Sequence, residues 1–276
     1  MNRLFVAKKP IFISSNSFAG YLKRKYRFDK IGFSGTLDPF ATGSLIMAAG
    51  QYTKLFSYLN KTPKVYRATL WLGAQSPSLD LESARFVQNI DALDPNKIVE
   101  TLSSLEGDIR YAPPVYSAKK ISGKKAYDLA RAGKKVRMKE INSHIYSMKL
   151  LMYNHPFVHF EAKVSEGTYI RSLGEIIANR LGVPATLSSL ERIAEGDFFY
   201  DNEKSLDPLE YITIPRNSYK KGYSHLEKGE KLHADIFEKK EDGIYLVEGA
   251  ELFSIVEISN GSVNYKINRI KKIEKE

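Results

Sequence analysis

One short stretch, Gly32-Phe33-Ser34-Gly35-Thr36-Leu37-Asp38-Pro39-Phe40-Ala41-Thr42-Gly43, constrains this chain more than any other part of it. Its glycines let the backbone take positive φ or come close to a ligand. Pro39 stiffens the bend just after Asp38. An ordinary surface turn is also written with Asp-Pro and flanking glycines. What sets this one apart is its company. Leu37, Phe40, Ala41, Leu45, Ile46, Met47, Ala48 and Ala49 give the acid an apolar setting, and a carboxylate taken out of water must be paired with a cation or put to use. The stretch predicts a rigid loop that presents one acid.

The flanking segments read as a mixture of helices and strands. Ser14 and Ser15 can cap a helix with Phe18, Leu22 and Tyr26 on one face and Lys23-Arg24-Lys25 nearby, which delivers the chain to the loop. After Gly50, a short helix through Leu55 and Leu59 leads to a strand over Lys64–Leu72, with Tyr66, Ala68, Leu70 and Leu72 facing inward. Asp94-Pro95 starts a helix carrying Ile98, Leu102 and Leu105, stopped by Gly107. Tyr146–Tyr153 and Phe157–Ser165 read as two strands joined at Asn154-His155-Pro156. A further helix opens at Gly167-Thr168-Tyr169-Ile170-Arg171, continues through Leu173, Ile176, Ile177 and Leu181, and closes at Gly182 and Pro184. Arg171 falls in its first turn, where a cation opposes the helix dipole, so a partner is expected. Asp38, a phosphate or a surface acid would each serve.

A chain of 276 residues can bury one substantial core and carry a second small unit. From about Asp201, Ser205, Asp207-Pro208, Pro215 and Asn217 mark a connection with room for a short helix. Past Leu226 the pattern turns β-rich, with Asp242-Gly243 and Asn260-Gly261 as hairpin-turn signals. The charge balance, 42 Lys+Arg against 32 Asp+Glu, favours a polyanionic partner. Between Tyr111 and Arg137, Tyr116 and Tyr127 interleave with Lys119, Lys120, Lys124, Lys125, Arg131, Lys134, Lys135 and Arg137. That pattern suits a nucleic-acid backbone with bases to stack, and it equally suits a solvated lysine-rich helix face. Without cysteine there is no disulfide framework, thiolate chemistry or cysteine-bound zinc, and the five histidines lack metal-binding spacing. No metal is expected. No stretch reaches membrane-spanning length and the first residues lack a signal-peptide core, so a cytoplasmic protein is expected.

Five ordered blocks resemble the bacterial tRNA pseudouridine synthases that act on the T-loop uridine. They are Lys9-Pro10 with Ser14-Ser15, Gly32–Gly43, Lys64-Val65-Tyr66-Arg67, Pro113-Pro114-Val115-Tyr116-Ser117-Ala118, and Gly167–Arg171. The resemblance covers about the first 195 residues. It implies an α+β fold with a mixed, largely antiparallel sheet flanked by helices, a catalytic domain over 1–215, an RNA-contacting insertion at about 111–142, and a small β-rich domain over 222–276. It further implies a cofactor-free isomerisation in which uracil leaves through N1, turns, and rejoins the same ribose through C5.

On the same resemblance, Asp38 matches the essential aspartate, which adds to C6 of the base or attacks C1′ of the sugar. Tyr66 matches the tyrosine that stacks on the target base and serves later proton transfer. Arg171 matches the arginine that pairs with the aspartate, and Tyr169 and Leu190 match positions around the flipped nucleotide. Lys9 is placed to order the pocket wall or meet a phosphate. Phe33 stands where the family commonly has a histidine that engages the loop bases; it can wedge or stack but cannot hydrogen-bond. Phe12 replaces an expected glycine, and Gln75-Ser76-Pro77-Ser78-Leu79-Asp80 replaces an acidic, threonine-rich stretch.

The implied partner is the T stem-loop of tRNA, bound by a monomer with no obligate protein partner and no membrane. The target base is stacked, so chemistry requires its extrusion. Two competing readings are a related synthase with another RNA target, and an RNA-binding protein whose catalysis is incidental. A phosphate-binding glycine loop is disfavoured, because the Gly-Lys-Ser/Thr ending is missing.

Overall fold

A computed structural model describes residues 1–117, 119–121, 124–131, 136, 138–219 and 224–273. The main strands are β1 (Arg3–Lys9), β2 (Ile31–Ser34), β3 (Thr42–Ala49), β4 (Lys64–Leu72), β5 (Gly107–Tyr111), β6 (Ile141–Asn154), β7 (Phe157–Val164), β8 (Ala185–Glu195) and β9 (Phe198–Phe199). Among the described residues they form one nine-stranded sheet in the order β1-β3-β8-β4-β7-β6-β5, with β2 on β3 and β9 on β8. Every pairing is antiparallel except β3 with β8, a short parallel joint registering Glu191 with Thr42 and Arg192 with Gly43. The expected α+β class with a largely antiparallel sheet is what the chain adopts.

Three of the helices start where capping and periodicity placed them. Helix α1 (Ser15–Lys25) is capped by Ser14, which accepts from the Ser17 N–H, and α2 (Pro95–Ser103) by Asp94, which accepts from the Asn96 N–H. Helix α3 (Ala126–Arg131) lies in the basic segment. Helix α4 (Ile170–Leu181) ends on Gly182 in the left-handed region. Helices α2 and α4 bury Ile98, Leu102, Leu173 and Ile177 against Ala68, Leu70 and Phe160 of the sheet. Helix α1 covers the other end, with Phe18 and Leu22 against Phe5, Leu45 and Met47.

Strands β1 and β3 are buried on both faces. The alternate residues Leu4, Val6, Ile46 and Ala48 meet Leu246, Phe253, Ile255 and Ile267 of a second sheet. That sheet is an antiparallel three-stranded meander of β10 (Gly243–Glu248), β11 (Leu252–Ser259) and β12 (Ser262–Lys271). Double burial explains why Leu45–Ala49 is continuously apolar rather than alternating.

Three local expectations need correction. The helix expected after Gly50 is a five-residue 3-10 turn, Gly50–Lys54. Helix α2 ends at Ser103, before Gly107, which instead opens β5. Asn260-Gly261 does turn β11 into β12, but Asp242-Gly243 leads into β10 instead of joining two strands. Lys134, Lys135 and Arg137 of the basic segment lie outside the described residues.

Candidate active site

The Asp38 loop links β2 to β3 and is fastened before any ligand arrives. Phe12 N–H donates to the Pro39 carbonyl at 2.7 Å. The buried Lys9 ammonium donates to the Pro10, Ile13 and Pro39 carbonyls at 2.8, 2.7 and 3.2 Å. Ser15 Oγ lies 3.0 Å from both the N–H and the carbonyl of Leu37. From below, Arg192 donates Nη2–H to the Gly35 carbonyl at 2.9 Å and Nε–H to the Ser44 carbonyl at 2.8 Å. Gly35 has φ +66°, and a β-carbon there would sit 2.9 Å from both Glu195 Oε2 and Lys64 Nζ. The left-handed φ favours glycine, and an added β-carbon would have to displace the ends of the Lys64 and Glu195 side chains.

Arg171, in the first turn of α4, is buried at 3% exposure. Its Nε lies 2.9 Å from Asp38 Oδ2 and its Nη2 donates to Asp38 Oδ1 at 3.1 Å. Nη1 donates to Asp80 Oδ2 at 3.2 Å and to the Ser78 carbonyl at 2.9 Å, while Nη2 also donates to the Tyr116 carbonyl at 2.8 Å. One guanidinium therefore bridges two carboxylates. Asp80 is buried, and its Oδ1 accepts from Ser78 Oγ at 2.5 Å and from the Glu82 N–H at 3.1 Å. Asp38 keeps 35% of its side chain open. Burial pushes the Asp38 carboxyl above the usual carboxylate range, Arg171 opposes that shift, and Asp80 adds to it.

Asp38 and Arg171 face a cleft of about 620 Å³, also lined by Tyr66 on β4, Leu190 on β8, and Tyr169 at the cap of α4. Tyr66 and Leu190 come from adjacent strands, with Ala68 opposite Leu190 and Arg192 opposite Tyr66. Tyr169 N–H donates to the Tyr111 hydroxyl at 2.9 Å, and burial raises the Tyr169 phenol. Ser117 and Lys119 bring the start of the basic segment to the rim. The fold thus collects Asp38, Tyr66, Arg171, Tyr169 and Leu190 around one space. Two other candidates stand apart from its lining. Lys9 spends its three donors on backbone carbonyls, and Phe33 on β2 packs into the apolar cluster beneath α1.

Several charged residues at the site went unassigned in the sequence. Asp80 is 91 positions from Arg171, and no local pattern announces the pair. Lys64 and Arg192 line the cleft and share the buried Glu195, at 2.8 and 2.9 Å. Alternation in the strands was the available signal. Lys64 shares the inward register of Tyr66, and Arg192 that of Leu190. Among the described residues no cluster of His, Cys, Asp and Glu is arranged to hold a metal, and no helix is long and apolar enough to cross a membrane.

Residues 23–170 match the family model described as TruB family pseudouridylate synthase, N terminal domain. The chain is 60% identical over 274 residues to a tRNA pseudouridine synthase B of Sulfurovum sp. (strain NBC37-1), covering 99% of each. It is 48% identical over 272 residues to a protein of that name from Campylobacter jejuni (strain RM1221), covering 99% of this chain and 100% of the relative. In architecture it is similar to a chain in the crystal structure of a Cbf5-Nop10-Gar1 complex, with a TM-score of 0.65, 19% identity, and coverage of 98% of this chain and 84% of that one.

Proposed function

The chain belongs to the TruB family of pseudouridylate synthases, and from that premise we propose that it isomerises uridine 55, in the T loop of tRNA, to pseudouridine on an extruded base. The observation that carries the reading is the partly open Asp38 carboxylate held by a buried arginine in a cleft of nucleotide size.

The reaction breaks the C1′–N1 bond and forms C1′–C5; a proton leaves C5 and N1 gains one, so no cofactor is required. Asp38 is the nucleophile, toward C6 of the base or C1′ of the sugar, and both roles require the ionised form. Arg171 holds that form in a partly dry site despite the burial that disfavours it. Tyr66, on the cleft wall, supplies a ring for the uracil to stack on and a hydroxyl for proton transfer from C5. Leu190 and Tyr169 shape the remaining wall around the nucleotide. Lys9 acts on the loop's geometry through its three carbonyl contacts. Phe33 acts through the packing beneath the loop.

Extruding the base costs a few kcal/mol of stacking and pairing. The net charge of +10 and the cationic segment following Tyr111 support phosphate contacts elsewhere on the RNA that offset this cost. The test is incubation with an unmodified tRNA transcript carrying [5-³H]uridine, followed by tritium release and chemical mapping of the T loop. Release with a new pseudouridine at position 55 is expected. Release with the modification elsewhere would refute the site choice, and no release would refute the activity. Asp38→Asn should bind the transcript and release nothing.

A further inference from the structure

Phe12 sits in the turn between β1 and α1 with φ +61°, a backbone conformation that disfavours a bulky L-residue and suits glycine. Its ring does not compensate by packing, because the residue is 62% exposed, and Ile11 beside it is 45% exposed. For folding alone, glycine would serve this position better. The ring therefore has a use outside the core.

Its mount is rigid and close to the chemistry. The Phe12 N–H is bonded to the carbonyl of Pro39, the residue after Asp38, and the neighbouring turn is held by the Lys9 ammonium and by Ser15. One hydrogen bond and two residue lengths put the ring within roughly 15 Å of the Asp38 carboxylate, within reach of a base next to the extruded one. The chain carries a net charge of +10, and Lys8, paired with Glu191 at 3.0 Å, is exposed on β1, as are Lys23 and Arg24 in the last turn of α1. An exposed aromatic on a cationic protein suits an unpaired base on a phosphate backbone better than an apolar protein surface.

Resting on the function proposed above, we propose that Phe12 is a stacking platform for an unpaired base of the substrate RNA flanking the target uridine. Extruding one nucleotide leaves its neighbours without a stacking partner, and a fixed ring beside the catalytic loop supplies one.

The test compares wild type with Phe12→Gly, Phe12→Trp and Phe12→Leu by thermal melting and by tritium release from a transcript. Phe12→Gly should raise Tm by relieving the backbone, raise KM about five- to tenfold, and change kcat less than about twofold. Phe12→Trp should keep KM near the wild-type value, and Phe12→Leu should behave like glycine in KM. A Phe12→Gly protein with unchanged KM or lowered Tm would overturn the proposal, as would a leucine variant that binds RNA as well as wild type. Wild-type protein that released no tritium would overturn the functional reading itself, and the platform with it.

Discussion

Replacing Gly43 by alanine should open the main sheet at its narrowest seam. The β1–β3 unit joins the rest of the sheet through two parallel register pairs, and Gly43 against Arg192 is one of them. A β-carbon at Gly43 would lie 2.2 Å from the Arg192 carbonyl oxygen and 2.7 Å from its nitrogen. Relief of about 1 Å must come from backbone moving away from backbone, since no flexible side chain is involved. Overpacking of this kind costs about 1–3 kcal/mol, and φ +108° adds about 1–3 kcal/mol for a residue with a side chain. A loss of about 4 kcal/mol is a large share of a typical stability of about 5–15 kcal/mol. At roughly 2–4 °C per kcal/mol, Tm should fall by roughly 8–16 °C. Arg192 also anchors the Gly35 carbonyl, so the displacement reaches the Asp38 loop. A misplacement near 1 Å can lower turnover roughly a hundredfold. Gly261→Ala is the control. It has φ +75° with nothing within 4 Å of the added carbon, so it bears only the backbone cost. Thermal melts and tritium release at 25 °C read both effects. Equal Tm losses in the two variants, or a Gly43→Ala protein with wild-type turnover, would refute the account of the seam.

Three further outcomes follow from the charges. Arg171→Lys keeps the cation but offers three donors where arginine serves two carboxylates and two carbonyls, so single-turnover tritium release should fall ten- to a hundredfold, about 1.5–3 kcal/mol. Asp38→Asn should abolish turnover yet melt at or above wild type at pH 7. The Asp38 carboxyl titrates above its unfolded value, so its contribution to stability is present at low pH and is lost as pH rises through the raised folded value. The Tm gap should close toward pH 3, and an amide variant less stable than wild type at pH 7 would contradict this. Burial lowers the Lys9 ammonium to about 8, below its unfolded value, so stability should rise across pH 8 to 10.5 as the unfolded chain holds the proton longer. Lys9→Met should lack that rise in urea titrations.

How much of this was legible in the sequence depended on how local each cause is. Ser14, Asp94 and Gly182 act within one turn of a helix, so caps and stops could be read residue by residue. The inward register of Tyr66 follows from alternation along a single strand. Strands β1, β3 and β8 were not predicted from pattern, because β3 is apolar on both faces and no two-residue period survives in it. Asp38 stood out through its glycines and proline, whereas Asp80 sits in a serine-rich turn with nothing to mark it. Asp38, 133 positions away, is among the partners the sequence left open for Arg171, but the structure adds a second acid, Asp80, 91 positions away. Only the sheet brings them together.

That sharing bears on the nucleophilic role proposed for Asp38. A guanidinium devoted to one carboxylate would hold it ionised but also engage its lone pairs, making it a poorer nucleophile. Here Arg171 divides its donors between Asp38, the buried Asp80 and two carbonyls, at a helix start where the dipole already disfavours the cation. Asp80, with almost no access to water, has the stronger need of the positive charge and keeps the guanidinium from following Asp38. Asp38 shares the cation instead of being fully neutralised by it, and its open third faces the cleft. Asp80→Asn separates the two effects. Losing the neighbouring negative charge should lower the Asp38 pKa and move the acid limb of kcat/KM to lower pH. Freed from its second anchor, Arg171 should settle on Asp38 and lower the plateau rate. A variant whose acid limb moved upward would show that Asp80 shields Asp38 rather than competing for its cation.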